Sequence, residues 1–369
     1  MTQVADHEPK TTIADELEAA RLRTLGLLEP LDEAALARRW SPLQSPLVWD
    51  LVHIGYFEEL WLVRRLGGDA PRHPEFDDLY DAFSHPRHER DELPLLHGAA
   101  AFDYLAQVRE RSLEVLDSVE LERADPRLAD GYVYGLVIQH EQQHVETMLQ
   151  TLQLSGLDIA DPEPEPPACG EGEALVEAGP FTLGAEDAPW AYDNELQPSE
   201  AALPAFAIDR WPVTNGRYAE YLEATGADPP EFWRRDAGGW ARERFGRVEP
   251  LEPAAPVRHV SWHEADAFAR WAGKRLPTEQ EWEKARKAGV LEGTGAVYEW
   301  TASDFRAYPG FRAFPYRHYS EVFFGDEYKV LRGSSWATAP VVARPSFRNW
   351  DYPIRRQIFA GFRCARDPE

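Results

Sequence analysis

The sequence predicts a two-domain protein of mixed class, with an all-α four-helix bundle over residues 1–157 and an irregular α+β domain over residues 174–369. Three observations predict it. Apolar residues recur at helical spacing in four stretches of the first part. An acidic, proline-rich run then interrupts all periodicity. Beyond it the composition changes: ten of the 13 Trp lie after Glu173, among short apolar runs broken by Gly, Pro and Asn turns. A length of 369 residues with 43% hydrophobic residues suits two domains, each with a real core.

The four helical stretches fall near 12–28, 44–66, 98–119 and 131–155. The second opens with Ser45-Pro46, a cap followed by a first-turn proline, and carries His53 among apolar neighbours. The connection over 67–97 is rich in His, Pro, Arg and Asp. The fourth stretch contains Gln139-His140-Glu141-Gln142-Gln143-His144, which sets two imidazoles on one helix face, one turn apart. Residues 158–173 include Asp161-Pro162-Glu163-Pro164-Glu165-Pro166-Pro167, which reads as a domain linker. In the second domain, helical pattern is expected at 214–225, 262–273 and 278–288.

Charge and composition exclude several functions. With 39 Lys+Arg against 64 Asp+Glu, the formal charge of −25 repels phosphate backbones and anionic membranes and lets a cationic ligand approach. No nucleic-acid or membrane partner is expected. Cys169 and Cys364 are the only cysteines, which argues against a disulfide framework. The polar segment Met1–Lys10 has no apolar signal core, and no apolar run approaches spanning length, so a cytoplasmic protein is expected.

Two imidazoles at i and i+4 invite a metal, and His53 on a facing helix is a reasonable third ligand. Taken alone, His53 reads more readily as a core histidine with a hydrogen-bonded ring. The same string fits the H-E-x-x-H pattern of zinc proteases, with Glu141 as general base. That reading lacks a downstream third ligand, because no His follows between Val145 and the linker. Three neutral imidazoles with open positions suit a redox metal such as Fe(II) instead.

The second domain carries Val257-Arg258-His259-Val260-Ser261-Trp262, Gly273-Lys274-Arg275-Leu276-Pro277-Thr278-Glu279-Gln280-Glu281-Trp282, Tyr298-Glu299-Trp300-Thr301, Leu331-Arg332-Gly333-Ser334-Ser335-Trp336 and Gly361-Phe362-Arg363. These strings resemble the formylglycine-generating-enzyme/sulfatase-modifying-factor domain, a variant of the C-type-lectin fold. Formylglycine-generating enzymes use paired cysteines for copper, and Cys364 has no evident partner, so that activity is disfavoured. Joined to a DinB-like bundle with His53 and His140-x-x-x-His144, the domain resembles the sulfoxide synthases of ergothioneine biosynthesis. The segment Arg348-Asn349-Trp350-Asp351-Tyr352-Pro353 is similar to the mycobacterial-type branch.

The resemblance implies a non-haem Fe(II) enzyme that uses O2 to couple the sulfur of γ-glutamylcysteine to the imidazole C2 of hercynine. It implies His53, His140 and His144 as metal ligands and Tyr316 as proton donor. It places Gln143, Tyr319, Asn349 and Trp350 at hercynine, whose quaternary ammonium suits aromatic faces. Arg87, Arg90 and Asp351 would hold γ-glutamylcysteine, guanidinium forks suiting its carboxylates. Without that context, Arg87 and Arg90 read as a solvated basic turn and Trp350 as a packing residue. Alternatives are a selenoneine-type synthase with a selenosugar donor, or a non-catalytic metal-containing ligand-binding protein. Ovothiol-type relatives usually add a methyltransferase domain, which is not expected here. A structural Ca²⁺ in the second domain stays open.

Overall fold

The computed structural model describes residues 7–121 and 125–368; most of the polar N-terminal segment lies outside the described residues. The chain divides into two compact units, Met1–Ser155 and Gly156–Glu369.

In the first unit the helices are α1 (His7–Leu28), α2 (Glu33–Ala37), α3 (Leu47–Glu58), α4 (Phe76–Leu79), α5 (Gly98–Ser118) and α6 (Tyr132–Ser155). The long helices α1, α3, α5 and α6 correspond to the four periodic stretches. Pro46 caps α3, which is buried on all sides and continues as π-helical turns over Glu59–Arg64. A helix that is apolar all round belongs at the centre of a bundle, and α3 packs on both α5 and α6 while α1 packs on α6.

Each long helix also contributes one charge to a buried cluster: Arg21 from α1, Glu58 from α3, Arg109 from α5 and Glu141 from α6. Arg21 donates to Glu141 at 2.9 Å and to Glu58 at 2.8 Å. Arg109 donates to Glu58 at 2.8 Å and to Glu141 at 3.1 Å, and the Thr24 hydroxyl adds a bond to Glu141 at 2.9 Å. Two cations and two anions leave no net charge in the low-dielectric interior. Burial by itself would raise the Glu58 carboxyl, but Arg109 and Arg21 outweigh it and hold it below the ordinary value.

The second unit contains helices α7 (Asn215–Thr225), α8 (Trp262–Trp271) and α9 (Glu279–Lys287), at the three expected places. Ser261 with Glu264 and Thr278 with Glu281 form reciprocal capping boxes at the starts of α8 and α9. Strands β1 (Glu173–Val176), β4 (Phe206–Asp209) and β12 (Ala365–Arg366) form an antiparallel sheet in the order β1-β4-β12. Strands β2 (Gly179–Leu183) and β3 (Ser199–Leu203) pair together, and β5 (Trp233–Asp236), β6 (Gly239–Arg244) and β7 (Arg247–Pro250) form a meander. The remaining sheet has the order β10-β9-β8-β11, from β8 (Tyr298–Asp304), β9 (Lys329–Arg332), β10 (Arg348–Asp351) and β11 (Ala360–Gly361). Val176, Phe206, Ile208, Trp282 and Leu291 share an apolar core.

The motifs that carry the family resemblance are largely structural here. Glu283 pairs with Arg332, Glu279 with Arg348 and Glu299 with Arg363, all buried. Gly361 is required by close approach, because a Cβ there would stand 2.1 Å from the carbonyl oxygen of Val257.

The proline-rich run differs from a free spacer. Glu163 is buried and pairs with Arg258 and Arg244, and the Cys169 amide donates to the Ala254 carbonyl at 2.8 Å. Ion pairing and backbone bonding therefore fasten this segment to the second unit, which begins at Gly156. Both cysteines are free thiols. Burial raises Cys169 to about 11 and raises Cys364 further.

One ion cluster in this unit gives a pH prediction. Glu173 of β1 accepts from Arg366 of β12 at 2.9 Å and meets the ammonium of Lys274 at 2.8 Å. The Arg366 and Lys274 bonds hold its carboxyl down to about 2, against an ordinary value of 4.5. Its contribution to stability is therefore complete above pH 4.5 and is lost as pH falls towards 2. The site is partly solvated, so the effect is about 1 kcal/mol or less. Melting curves of the parent and Glu173→Gln should differ at pH 6 and converge at low pH; a difference that persists unchanged would refute the assignment.

Candidate metal centre

The three histidines converge. His53 comes from α3, and His140 and His144 come from successive turns of α6; their ligand nitrogens all lie within 4.8 Å of one another. The Nε2 atoms of His53 and His140 are 3.1 Å apart. Two nitrogens bound at right angles to one metal, with bonds of ~2.1 Å, stand about 3 Å apart. Among the described residues, no Cys, Asp or Glu joins this group.

The surroundings suit the rings to metal binding. His53 Nδ1 lies 2.7 Å from the Tyr80 carbonyl oxygen, which can only accept, so Nδ1 carries the proton and Nε2 keeps its lone pair. His144 Nδ1 meets Asp50 Oδ1 at 3.0 Å, a carboxylate–histidine pair that orients the second ring. Trp49 stacks on His53 with centroids 4.6 Å apart, and Phe57 stacks on His140 at 3.7 Å. Positions 49, 53 and 57 are four apart and share one face of α3. Burial, reinforced by the neighbouring imidazoles, pushes His53 and His140 well below the ordinary histidine value, so both rings are neutral.

These residues fit a divalent cation. The Asp50 carboxylate is buried, with one oxygen on His144 and Oδ2 without a hydrogen-bond partner. A cation among the imidazoles would offset that charge. Asp50 and Trp49 escaped the sequence reading, although Asp50 stands three residues before His53 and so lies on the same helix face.

Glu141 is buried and does not join the histidine group. Its carboxylate is committed to Arg21, Arg109 and Thr24. Gln143, by contrast, is half-buried.

Arg87 and Arg90 lie in one 3₁₀ turn, Arg87–Glu92, yet their environments differ. Arg90 is buried over Trp49 at 3.6 Å and donates to Ser45 Oγ, the His85 carbonyl and the Ala82 carbonyl at 2.8–3.0 Å. Burial, with the charge of Arg87 beside it, lowers it to about 10. Arg87 is exposed and donates to Gln44 at 2.7 Å. The charges of both arginines reach His53 and further disfavour its protonation.

In the second unit Tyr319 stacks on Tyr192 at 4.1 Å and meets the edge of Trp350 at 5.8 Å. Trp350 in turn stacks on Phe305 at 4.0 Å, nearly coplanar at 9°. Tyr316 is half-buried and lies close enough to Tyr192 for charge on one phenol to disfavour ionisation of the other. Asn349 Oδ1 accepts from the Trp350 amide at 2.9 Å, and Asp351 pairs with Arg355 at 3.6 Å. Thus Tyr316, Tyr319 and Trp350 gather around one aromatic cluster, with Asn349 and Asp351 on the same strand.

Fold and site together define a protein with a DinB-type bundle, a three-histidine group able to hold a metal ion and a sulfatase-modifying-factor-type domain. Residues 16–148 match the DinB superfamily, and residues 159–294 and 287–368 match the sulfatase-modifying factor enzyme 1-like domain. The chain is 42% identical to the hercynine oxygenase of Mycolicibacterium smegmatis, over 97% of this chain and 99% of that one. It is 41% identical to the hercynine oxygenase of Mycobacterium tuberculosis, over 96% and 98% respectively. A formylglycine-generating enzyme from Thermomonospora curvata is 33% identical over 40% of this chain and 58% of its own length. The chain belongs to the hercynine oxygenase family of enzymes. No helix among the described residues is long and apolar enough to cross a membrane.

Proposed function

We propose that this chain is a non-haem, Fe(II)- and O2-dependent sulfoxide synthase of ergothioneine biosynthesis, joining the sulfur of γ-glutamylcysteine to the imidazole C2 of hercynine. The observation that carries this reading is the set of three imidazoles with ligand nitrogens within 4.8 Å of one another, of which His53 and His140 are kept neutral by burial. The named activity of the full-length relatives supports hercynine as substrate. The reaction balances as thiol plus imidazole C–H plus O2 giving sulfoxide plus water, the four electrons coming from C–S bond formation and sulfur oxidation.

Fe(II) held by His53, His140 and His144 would supply O2 activation and a Lewis-acid position for the thiolate. The protein's own groups do the rest. Arg87 offers a cation to a donor carboxylate, while Arg90 holds the turn and adds positive field; Asp351 is assigned to the donor's amino group. Gln143, Tyr319, Asn349 and Trp350 are assigned to hercynine, the rings of Trp350 and Tyr319 suiting its trimethylammonium. Tyr316 is assigned as the group that holds and delivers a proton from its phenolic oxygen.

Protein reloaded with Fe(II) should consume one O2 per coupled sulfoxide when given hercynine and γ-glutamylcysteine. Absence of coupled product with any thiol would reject the reading, and competition with a selenosugar would decide the donor. Tyr316→Phe should cut the ratio of coupled sulfoxide to oxidised thiol by about 10²-fold, within the range typical for loss of a general acid. An unchanged ratio would remove Tyr316 from that role.

A further inference from the structure

Four consecutive residues, Tyr192-Asp193-Asn194-Glu195, are each at most 1% exposed, although all four are polar. Such a run tolerates burial when most of its polar groups are satisfied; Asn194 Oδ1 lacks a hydrogen-bond partner, but the other side-chain groups bond to residues around the aromatic cluster. Asp193 Oδ2 accepts from the Phe314 amide at 3.1 Å, and Oδ1 accepts from the Ser320 hydroxyl. Asn194 Nδ2 donates to the same Ser320 oxygen at 3.0 Å, and the Asn194 carbonyl accepts from Arg348 at 3.0 Å. Glu195 accepts from Arg344 at 2.8 Å and from Ser346 at 2.7 Å.

The geometry therefore joins two segments that are distant in sequence. Phe314 and Ser320 are the ends of the loop that carries Tyr316 and Tyr319, and Arg348 opens β10, which carries Asn349, Trp350 and Asp351. Tyr192 itself forms the stacking floor for Tyr319. We propose that Asp193 is a positioning residue that clasps both ends of the 314–320 loop and so sets the Tyr316 and Tyr319 phenols against Trp350. This rests on the assignment of those residues to substrate and proton delivery. A buried carboxylate with a donor from each end of the loop is a rigid anchor, because losing either donor leaves a less compensated desolvated charge. Burial raises the carboxyl to about 6 despite those donors.

The test uses full-length, Fe(II)-loaded Asp193→Ala and Ser320→Ala, the second of which opens one end of the clasp with little change in volume. Amide exchange in 314–320 should accelerate at least tenfold in Asp193→Ala and less in Ser320→Ala, with metal content unchanged. Coupled sulfoxide per O2 consumed should fall about tenfold in Asp193→Ala. That ratio does not depend on the fraction of folded enzyme, so simple destabilisation would not move it. Unchanged exchange and an unchanged ratio in both variants would overturn the proposal, as would exchange that accelerates while the ratio stays constant. Should Asp193→Ala fail to fold, Ser320→Ala decides on the same two readouts. If the parent enzyme makes no coupled product, the sulfoxide synthase reading fails on its own, and exchange alone decides whether the clasp exists.

Discussion

His144→Ala is expected to abolish turnover and metal retention together, while His53→Ala and His140→Ala do the same. Removing a hydrogen-bond partner of a ligand typically costs ~10–100-fold in metal affinity, so removing a ligand itself should cost more than 100-fold. Asp50→Asn supplies the comparison within this protein. It keeps an oxygen near His144 Nδ1, whose bond spans 3.0 Å, but removes the buried negative charge. Its metal affinity should fall by about 10–100-fold, leaving activity recoverable at high Fe(II). Metal content after desalting, titration of Fe(II) into apo-protein and O2 uptake measure all four variants. A histidine variant that retains stoichiometric metal and full turnover would remove that residue from the centre.

Glu141→Ala should produce the largest loss of stability without a matching loss of chemistry. Glu141 accepts from Arg21, Arg109 and Thr24 in a cluster that draws one residue from each long helix of the bundle. Removing it leaves two buried guanidiniums sharing Glu58, an uncompensated charge that costs about 3–5 kcal/mol. Glu141→Gln should lie between, since the amide keeps one acceptor but not the charge. Turnover per bound metal in the folded fraction should remain within a few-fold of the parent. A protease-like general base would behave in the opposite way, with stability retained and turnover lost. Denaturant unfolding and activity per metal separate the two, and an unfolding midpoint unchanged in Glu141→Ala would discredit the cluster as a clamp.

This pair of expectations also shows how one motif divides. The i and i+4 spacing of His140 and His144 is local geometry, so it was legible as a candidate ligand pair before any fold was known. The glutamate inside the same string was not legible, because its role depends on Arg21 and Arg109, which lie 120 and 32 residues away in the chain. The arginine pair divides similarly. The spacing of Arg87 and Arg90 read by itself as a solvated basic turn, and only the family resemblance implied anion contacts; tertiary packing gives the two different surroundings, Arg90 buried over Trp49 and Arg87 exposed. The proline-rich run kept its extended, acidic composition, but Glu163 met Arg258 and became part of a domain instead of a tether.

What the sequence by itself determined was periodic or local: the four bundle helices, the three helices of the second unit, the histidine pair and the family-specific strings. Helical faces and caps follow from residues within a few positions of one another, so one chain read in order contains them. Only the tertiary structure decided which distant groups share an environment. It brought His53 to His140 across 87 positions, gave His144 the carboxylate of Asp50, and closed Asp193 on a loop more than a hundred residues away. Desolvation and hydrogen-bond completion act through space, and burial sets their strength, so their outcome waits on the fold.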